Sequence, residues 1–340
     1  MSRPASAPPE ARGLARDEVR LLVATPDGLA HSRFTELPRF LAAGDLLVVN
    51  TSATIAAAVD GSRADGRPVT AHLSTPLEDG TWAVELRHDA STDGPVTDGV
   101  AGEIVRLPGG ATLILRYRYP DPDSRRLWAT SVAVAGDVLD YLARHGRPIR
   151  YAYVPDPWPL DAYQSVFASA PGSAEMPSAA RPFTPELVIR LISAGMVLAP
   201  ITLHAGVASL ETGEPPLPER FRVPEPTARL VNLTRAAGRR VIAVGTTSTR
   251  ALESAAGPDG TVRAAQGWTD LVLHGGQQTR VVSGLITGWH DPGASHLELL
   301  HAVAGTALVG AAYQAAEQAG YLWHEFGDSC ILLPPIPHHR

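Results

Sequence analysis

Lysine is absent from the 340 residues, so all 29 basic side chains are arginine. Alanine, glycine, proline and arginine are plentiful throughout, which fits coding bias and excludes reading the arginines as a phosphate-binding code. Cysteine is nearly absent as well. Cys330 alone cannot close an intramolecular disulfide, and with no second thiol for a soft metal site the chain suits a reducing compartment. It sits in the apolar run CILLPPIP without a basic neighbour in sequence to stabilise a thiolate, so it reads as a small buried hydrophobe. No apolar run approaches the roughly 20 residues needed to cross a bilayer, and the start lacks the basic and apolar regions of a secretory signal. A soluble, cytoplasmic protein with no membrane partner is expected. Blocks of like charge are missing too, and a net charge of −6 offers no global attraction to a polyanion. Any RNA contact must use a local patch. The densest arginine stretch, Arg116, Arg118, Arg125, Arg126, Arg144, Arg147 and Arg150, is ordinarily a solvated face.

What is present can fold. With 44% hydrophobic and 19% charged residues the chain can bury a large core in one or two domains. Residues 1–12, rich in Pro, Ala and Ser, offer little to bury and are expected to be a disordered tail. From 13 to 59 a short helical pattern, Leu37 to Ala43, is closed by Gly44 and followed by the strand-like run DLLVVN. Residues 60–135 carry alternating or β-branched runs (VTAHLS, TWAVELRH, EIVRL, ATLILRYRY, LWATSVAV) punctuated by Gly and Pro. That texture predicts an inserted small antiparallel β-barrel domain. From 136 to 340 strands alternate with capped helices, the pattern of an α/β domain with mostly parallel strands. Predicted elements include a helix from Pro185 to Ala194 capped by Thr184, a strand Met196 to His204, a helix Thr227 to Ala237, and a strand Arg240 to Thr247 entering a helix Ser248 to Ala256. Strands near Leu271 and Val281 and one long helix from Ser295 to Gln318 complete the reading.

Polar residues at strand ends are the candidates for chemistry. In RVIAVGTTSTRALES a strand runs through Gly245 into a helix start, where free amides and the hydroxyls of Thr246, Thr247 and Ser248 can hold a carboxylate or phosphate. Arg250 and Glu253 are spaced to share a face of that helix, an arrangement equally typical of a surface ion pair. His204, at the end of ITLH, titrates near neutrality and suits a base, although strand-end histidines often only bond to backbone. Asp270 and Asp328 lie beside apolar strands and need partners, structural or functional. His290, Asp291 and His296 share a Gly-rich loop, but their spacing fits no standard zinc pattern and no metal is expected.

Taken in order, LPRFLAAGDLLVVNTS, YVPDPWPLDAYQSVFASAPGSAEMPSAARPFTPELVIRL, ITLHAGVASL, RVIAVGTTSTRALES, GWTDLVLHGG, SGLITGWHDP and FGDSCIL resemble the S-adenosylmethionine:tRNA ribosyltransferase-isomerases of queuosine biosynthesis. The match covers most of the chain outside the insert. It implies an α/β, barrel-like large domain interrupted by a small β-barrel. It also implies transfer of the ribosyl part of S-adenosylmethionine to a 7-aminomethyl-7-deazaguanine base in tRNA and isomerisation to epoxyqueuosine, with adenine and methionine released and no metal. The sulfonium acidifies the neighbouring 5′-carbon, so a base can remove a proton there, while departing adenine needs a proton donor. His204, Asp270 and Asp328 are the catalytic candidates. Asn50, Phe183, Thr184, Thr246, Thr247, Ser248, Arg250, Glu253 and His290 are the expected substrate contacts, with Arg250 placed to pair with a carboxylate or phosphate.

The chain also departs from the family pattern. PSAARPFT stands for the usual PTAGLHFT, putting Arg181 and Pro182 where leucine and histidine are expected. ETGEPPLPERFRVP fills the place of a histidine-bearing stretch, small residues from Ser52 to Ala58 replace a basic residue and its neighbours, and Gly288, Trp289 and Asp291 alter a LITNFHLP-type motif. Three readings follow: the tRNA reaction in a trimmed site, a paralogue using S-adenosylmethionine on a small acceptor, and a non-catalytic binder of S-adenosylmethionine.

Overall fold

The computed structural model describes residues 3–88, 94–207, 216–274, 276–291 and 295–335. Parts of the ITLHAGVASL and ETGEPPLPERFRVP segments (208–215), residue 275, and residues 292–294 of the Gly-rich loop lie outside them.

The larger body is built on a nine-stranded sheet in the order Ala265–Thr269, Glu219–Val223, Val197–Leu203, Leu46–Asn50, Val241–Val244, Gly284–Thr287, Ser329–Leu332, Arg20–Thr25, Gly28–Arg33. Its central pairings, from Val197–Leu203 through Leu46–Asn50 and Val241–Val244 to Gly284–Thr287, are parallel, as is Ser329–Leu332 with Arg20–Thr25. The remaining four pairings are antiparallel, so the sheet is mixed rather than mostly parallel. The central strands read as unbroken apolar runs because both faces are covered. Leu46, Val48, Val241, Ala243 and Leu285 point into one core, while Leu47, Val49, Ile242, Val244 and Ile286 point into the other, the two-residue alternation of a strand.

Helices Glu225–Ala236, Thr246–Ser254, Ser295–Ala304 and Thr306–Gln318 contribute to the first core. The single long helix expected at the end of the chain is two, bent by 119° where Gly305 takes a left-handed φ of 78°. No single helix among the described residues is long and apolar enough to cross a membrane. Against the second core packs the helix Pro185–Ser193, with Leu187 and Leu191 buried. Thr184 Oγ1 accepts from the Leu187 amide at 3.2 Å, a cap worth about 1 kcal/mol.

Six antiparallel strands, Ala58–Ser62, Pro68–Pro76, Trp82–Arg87, Ile104–Arg106, Thr112–Tyr119 and Leu127–Ala133, close into a small barrel with its own apolar core. Helix Val138–His145 buries Tyr141 and Leu142 against it. A fully buried carboxylate, Glu85, is held inside by Arg126 at 3.0 Å and Arg87 at 3.4 Å.

Two expectations need correction. Residues 3–12 are not a frayed tail: Arg3–Pro4 pairs in parallel with Leu322–Trp323, Ala5 is buried beside Val154, Tyr163 and Phe326, and Pro9–Arg12 forms a 3-10 turn. Side-chain composition undercounted this segment, because backbone pairing and the ion pairs of Glu10 with Arg16 and Arg181 hold it. Residues 271–273 form no strand; they run as extended chain along the wall of the cavity described next.

Candidate active site

In sheets with a parallel centre, ligands bind beyond the carboxyl ends of the strands, where neighbouring connections diverge. Here the segments leaving Leu46–Asn50, Val197–Leu203, Val241–Val244 and Gly284–Thr287 bring Thr54, Gly206, Thr247 and His290 to one cavity of about 570 Å³. Arg87 at the barrel lip and Tyr151, Tyr153 and Glu175 complete its walls. Gly245 is needed at the helix entry: its φ of 91° is left-handed, and an added Cβ would lie 3.3 Å from Ala179. That turn delivers Thr246 and Thr247 into the cavity at the amino end of Thr246–Ser254. Asn50 sits behind it. Its side-chain amide donates to Leu203 O at 2.8 Å and Thr247 Oγ1 at 3.2 Å and accepts from the Leu203 and Ser52 amides, so it clamps the turn instead of lining the cavity.

Arg250 lines the cavity, yet four of its five N–H groups are engaged: three with the carbonyls of Leu271, Leu217 and Thr269 and one with the Glu219 carboxylate. It is therefore a support for Glu219, not the free ligand-binding cation expected. Glu253 faces away and caps the amides of Arg280, Val281 and Val282 at 2.8 to 3.0 Å. Ser248 Oγ donates to Val244 O within the core.

His204 stands at the edge of the site. Its Nδ1 lies 2.7 Å from Ser52 Oγ, which is 2.6 Å from Ser173 Oγ, and the ring is not part of the lining although Ala205 and Gly206 are. Burial, then the charge of Arg220, hold its pKa below the ordinary value, so it is neutral near pH 7. His290 does line the cavity, its ring stacked on His296 at 4.6 Å and 4° and its Nε2 3.1 Å from Thr287 Oγ1. Burial first, then the neighbouring His296 and His324, push it well below the usual range.

The other expected residues are elsewhere, for physical reasons. Asp270 is exposed and off the cavity, although Leu271, Val272 and Leu273 after it line the wall. Asp328 is buried but saturated: its carboxylate accepts from the Arg20 amide, Nε and Nη2 and the Leu322 amide, all at 2.8 to 3.0 Å. Phe183 is a core side chain edge-on to Phe34 and Phe167, and Thr184 is spent on its helix cap. Among the described residues no group of three or more His, Cys, Asp or Glu is arranged to hold a metal ion.

Tyr151, Tyr153, Glu175, Glu219, His324 and Glu325, which also give the cavity its chemistry, were not singled out in the sequence. Tyr151 donates its hydroxyl to Glu175, and Tyr153 donates to Glu325 at 2.8 Å. Tyr153 stacks on His324 at 4.2 Å and 15°, and His324 Nε2 lies 3.5 Å from Asp291. Burial, reinforced by Glu175 and Glu325, pushes both tyrosine hydroxyls far above their ordinary range. Burial also raises the carboxyl groups of Glu325 and Glu219, opposed at Glu219 by Arg250 and the Gly206 amide. The pairing of Tyr153 with a carboxylate 172 positions away leaves no local signal.

Comparison with known proteins converges on one group. The family model described as queuosine biosynthesis protein matches residues 2–332. The chain is 37% identical over 338 residues to the S-adenosylmethionine:tRNA ribosyltransferase-isomerase of Acidiphilium cryptum, covering 93% of each. It is 35% identical to that of Methylocella silvestris, covering 95% of this chain and 93% of the relative. A crystal structure of S-adenosylmethionine tRNA ribosyltransferase from Thermotoga maritima superposes with a TM-score of 0.50 at 25% identity, covering 98% of this chain and 96% of that one.

Proposed function

Because this chain belongs to the queuosine biosynthesis protein family, we propose that it is an S-adenosylmethionine:tRNA ribosyltransferase-isomerase working in the cavity beneath the Thr246–Thr247 turn. It transfers the ribosyl part of S-adenosylmethionine to an aminomethyl-deazaguanine base of tRNA and isomerises it, releasing adenine and methionine. The observation that carries the reading is the convergence of a helix amino terminus, two buried carboxyl groups and two tyrosine hydroxyls on one cavity large enough for a nucleoside. The amides and hydroxyls of Thr246 and Thr247 take the methionine carboxylate or a ribose hydroxyl. Carboxylate and aromatic walls suit the positive sulfonium. With its ring outside the lining and bonded to Ser52, His204 orients the Ser52–Ser173 hydroxyls rather than removing the substrate proton.

One observation favours tRNA over a small acceptor. Arg181 and Pro182, two of the departures from the family pattern, line a small neighbouring pocket and not the main cavity; Arg181 is occupied with Glu10 and the Ala162 carbonyl. Incubation with S-adenosylmethionine and tRNA carrying the precursor base should release adenine, detected by chromatography, and omission of the RNA should abolish it. The RNA-dependent rate should fall as salt rises, because phosphate contacts release counterions. Adenine release with a small amine and indifference to salt would favour the paralogue reading instead.

A further inference from the structure

Two carboxyl groups enter the cavity with opposite supports. Glu219 contacts the Arg250 guanidinium, which Leu217, Thr269 and Leu271 fix from behind, and it accepts from the Gly206 amide at 3.3 Å. Every neighbour that contacts it is a donor, and one is a permanent cation. Glu325 has no guanidinium partner among the described residues; it accepts from the neutral Tyr153 hydroxyl at 2.8 Å, with the Tyr153 ring backed by His324. Tyr163 also faces it, and Glu175 and Asp291 add negative charge around Tyr153. A fixed cation thus supports the charged form of one carboxyl group while the other meets a neutral hydroxyl, the kind of division that separates base from acid in two-carboxyl active sites.

We propose that Glu219 is the general base and Glu325 the general acid of the ribosyl transfer, with Arg250 the positioning residue that holds Glu219 in place. The assignment rests on the reading of the function given above. In the first step the bond between the 5′-carbon and its hydrogen breaks, the proton passes to a Glu219 carboxylate oxygen, and the electron pair stays on carbon beside the positive sulfur. In the second the bond from the ribose 1′-carbon to adenine breaks, its electron pair leaves with adenine, and Glu325 supplies the proton that lets adenine depart neutral. The positive charge left at the 1′-carbon is shared by the ring oxygen and balanced by the pair on the 5′-carbon. Over these two steps one proton is taken up by Glu219 and one given up by Glu325, so no oxidant is consumed; the bond to the aminomethyl nitrogen of the base then forms as that nitrogen loses a proton, and the bond between the 5′-carbon and sulfur breaks with its electron pair leaving on methionine. Burial raises both carboxyl groups; it is opposed at Glu325 by a backbone hydrogen bond, Tyr153 and His324, and at Glu219 by the permanent charge of Arg250 and the Gly206 amide.

The test compares E219Q, E325Q and E175Q with the unsubstituted chain on S-adenosylmethionine and precursor-bearing tRNA across pH. General acid and base groups each contribute about 10²-fold to 10⁴-fold, so E219Q and E325Q should each slow adenine release by at least about 10²-fold. E219Q should lose the acidic limb of the profile and E325Q the basic limb. Calorimetry with S-adenosylmethionine alone shows whether each variant keeps a folded, binding-competent site. A basic limb that survives in E325Q and disappears in E175Q overturns the choice of acid. An acidic limb that survives in E219Q overturns the choice of base. If the unsubstituted chain releases no adenine, the ribosyl-transfer reading itself falls, and this assignment with it.

Discussion

Arg181 Nη2 contacts both carboxylate oxygens of Glu10, at 3.2 and 3.0 Å, from a position beneath the Phe326 ring. Arg181 is almost fully buried and Glu10 half exposed, so the guanidinium is the member that loses most if the pair breaks. Arg181→Ala should destabilise the fold by about 1–3 kcal/mol, measured by urea unfolding, and speed hydrogen exchange of residues 3–12. Burial alone would raise the Glu10 pKa, but its backbone hydrogen bond and Arg181 hold it below 4.5. A carboxylate lowered in the folded state stabilises above its unfolded pKa and stops doing so as pH falls through the folded one. The gap between variant and parent should therefore be full at neutral pH and close on acidification below about 4.

Asp328 should prove structural. Its four donors leave no free oxygen for substrate, and removing the carboxylate strands two buried amides and a guanidinium. Asp328→Ala should cost about 2–4 kcal/mol in urea unfolding, less than for a wholly buried pair because Arg20 is partly exposed. Adenine release per folded molecule should change little, whereas a catalytic carboxylate would lose it with stability intact.

Asp270 should be dispensable. It is exposed and outside the cavity wall, so Asp270→Asn should leave both stability and adenine release within about twofold. A loss beyond about 10²-fold would place chemistry where the fold puts solvent.

Within the barrel, His72 is fully buried and neither ring nitrogen has a hydrogen-bond partner among the described residues, the Glu85 carboxylate lying 3.7 Å from Nδ1; burial holds its pKa below 6.5, although Glu85 pulls the other way. A histidine lowered in the folded state is fully tolerated above its unfolded pKa and costs stability as pH falls toward the folded value. His72→Gln should therefore gain on the parent in urea midpoint between about pH 7.5 and about pH 5.5. A gap that moves in the parent's favour on acidification would contradict this placement of the imidazole.

The sequence shows what short range determines. The Thr184 cap and the apolar run DLLVVN are set by neighbours within a few residues and adopt their expected form, whereas at the Gly245 turn the strand ends at Val244 and the helix starts at Thr246, two residues earlier than expected, with Gly245 as its cap. The strand-rich insert announces a barrel through its alternation. By contrast, Asp270 and Asp328 look alike in sequence, and only the exposure of one and the Arg20 contact of the other separate them. Arg250 and Glu253 share helix spacing but are claimed by partners 31 and 28 residues away, Glu219 and Val281. The Tyr153 and Glu325 pair depends on the return of the last strands to the amino-terminal segment, so its partnership is a product of topology. Phe183 carries family resemblance because its ring fills the core behind the cavity, not because it touches ligand.

Co-crystallisation with S-adenosylmethionine is the most direct measurement. The ligand should occupy the 570 Å³ cavity with its methionine or ribose end at Thr246 and Thr247 and its sulfonium within reach of Glu219. Electron density for the nucleoside at any other surface, with this cavity holding only solvent, would contradict the assignment.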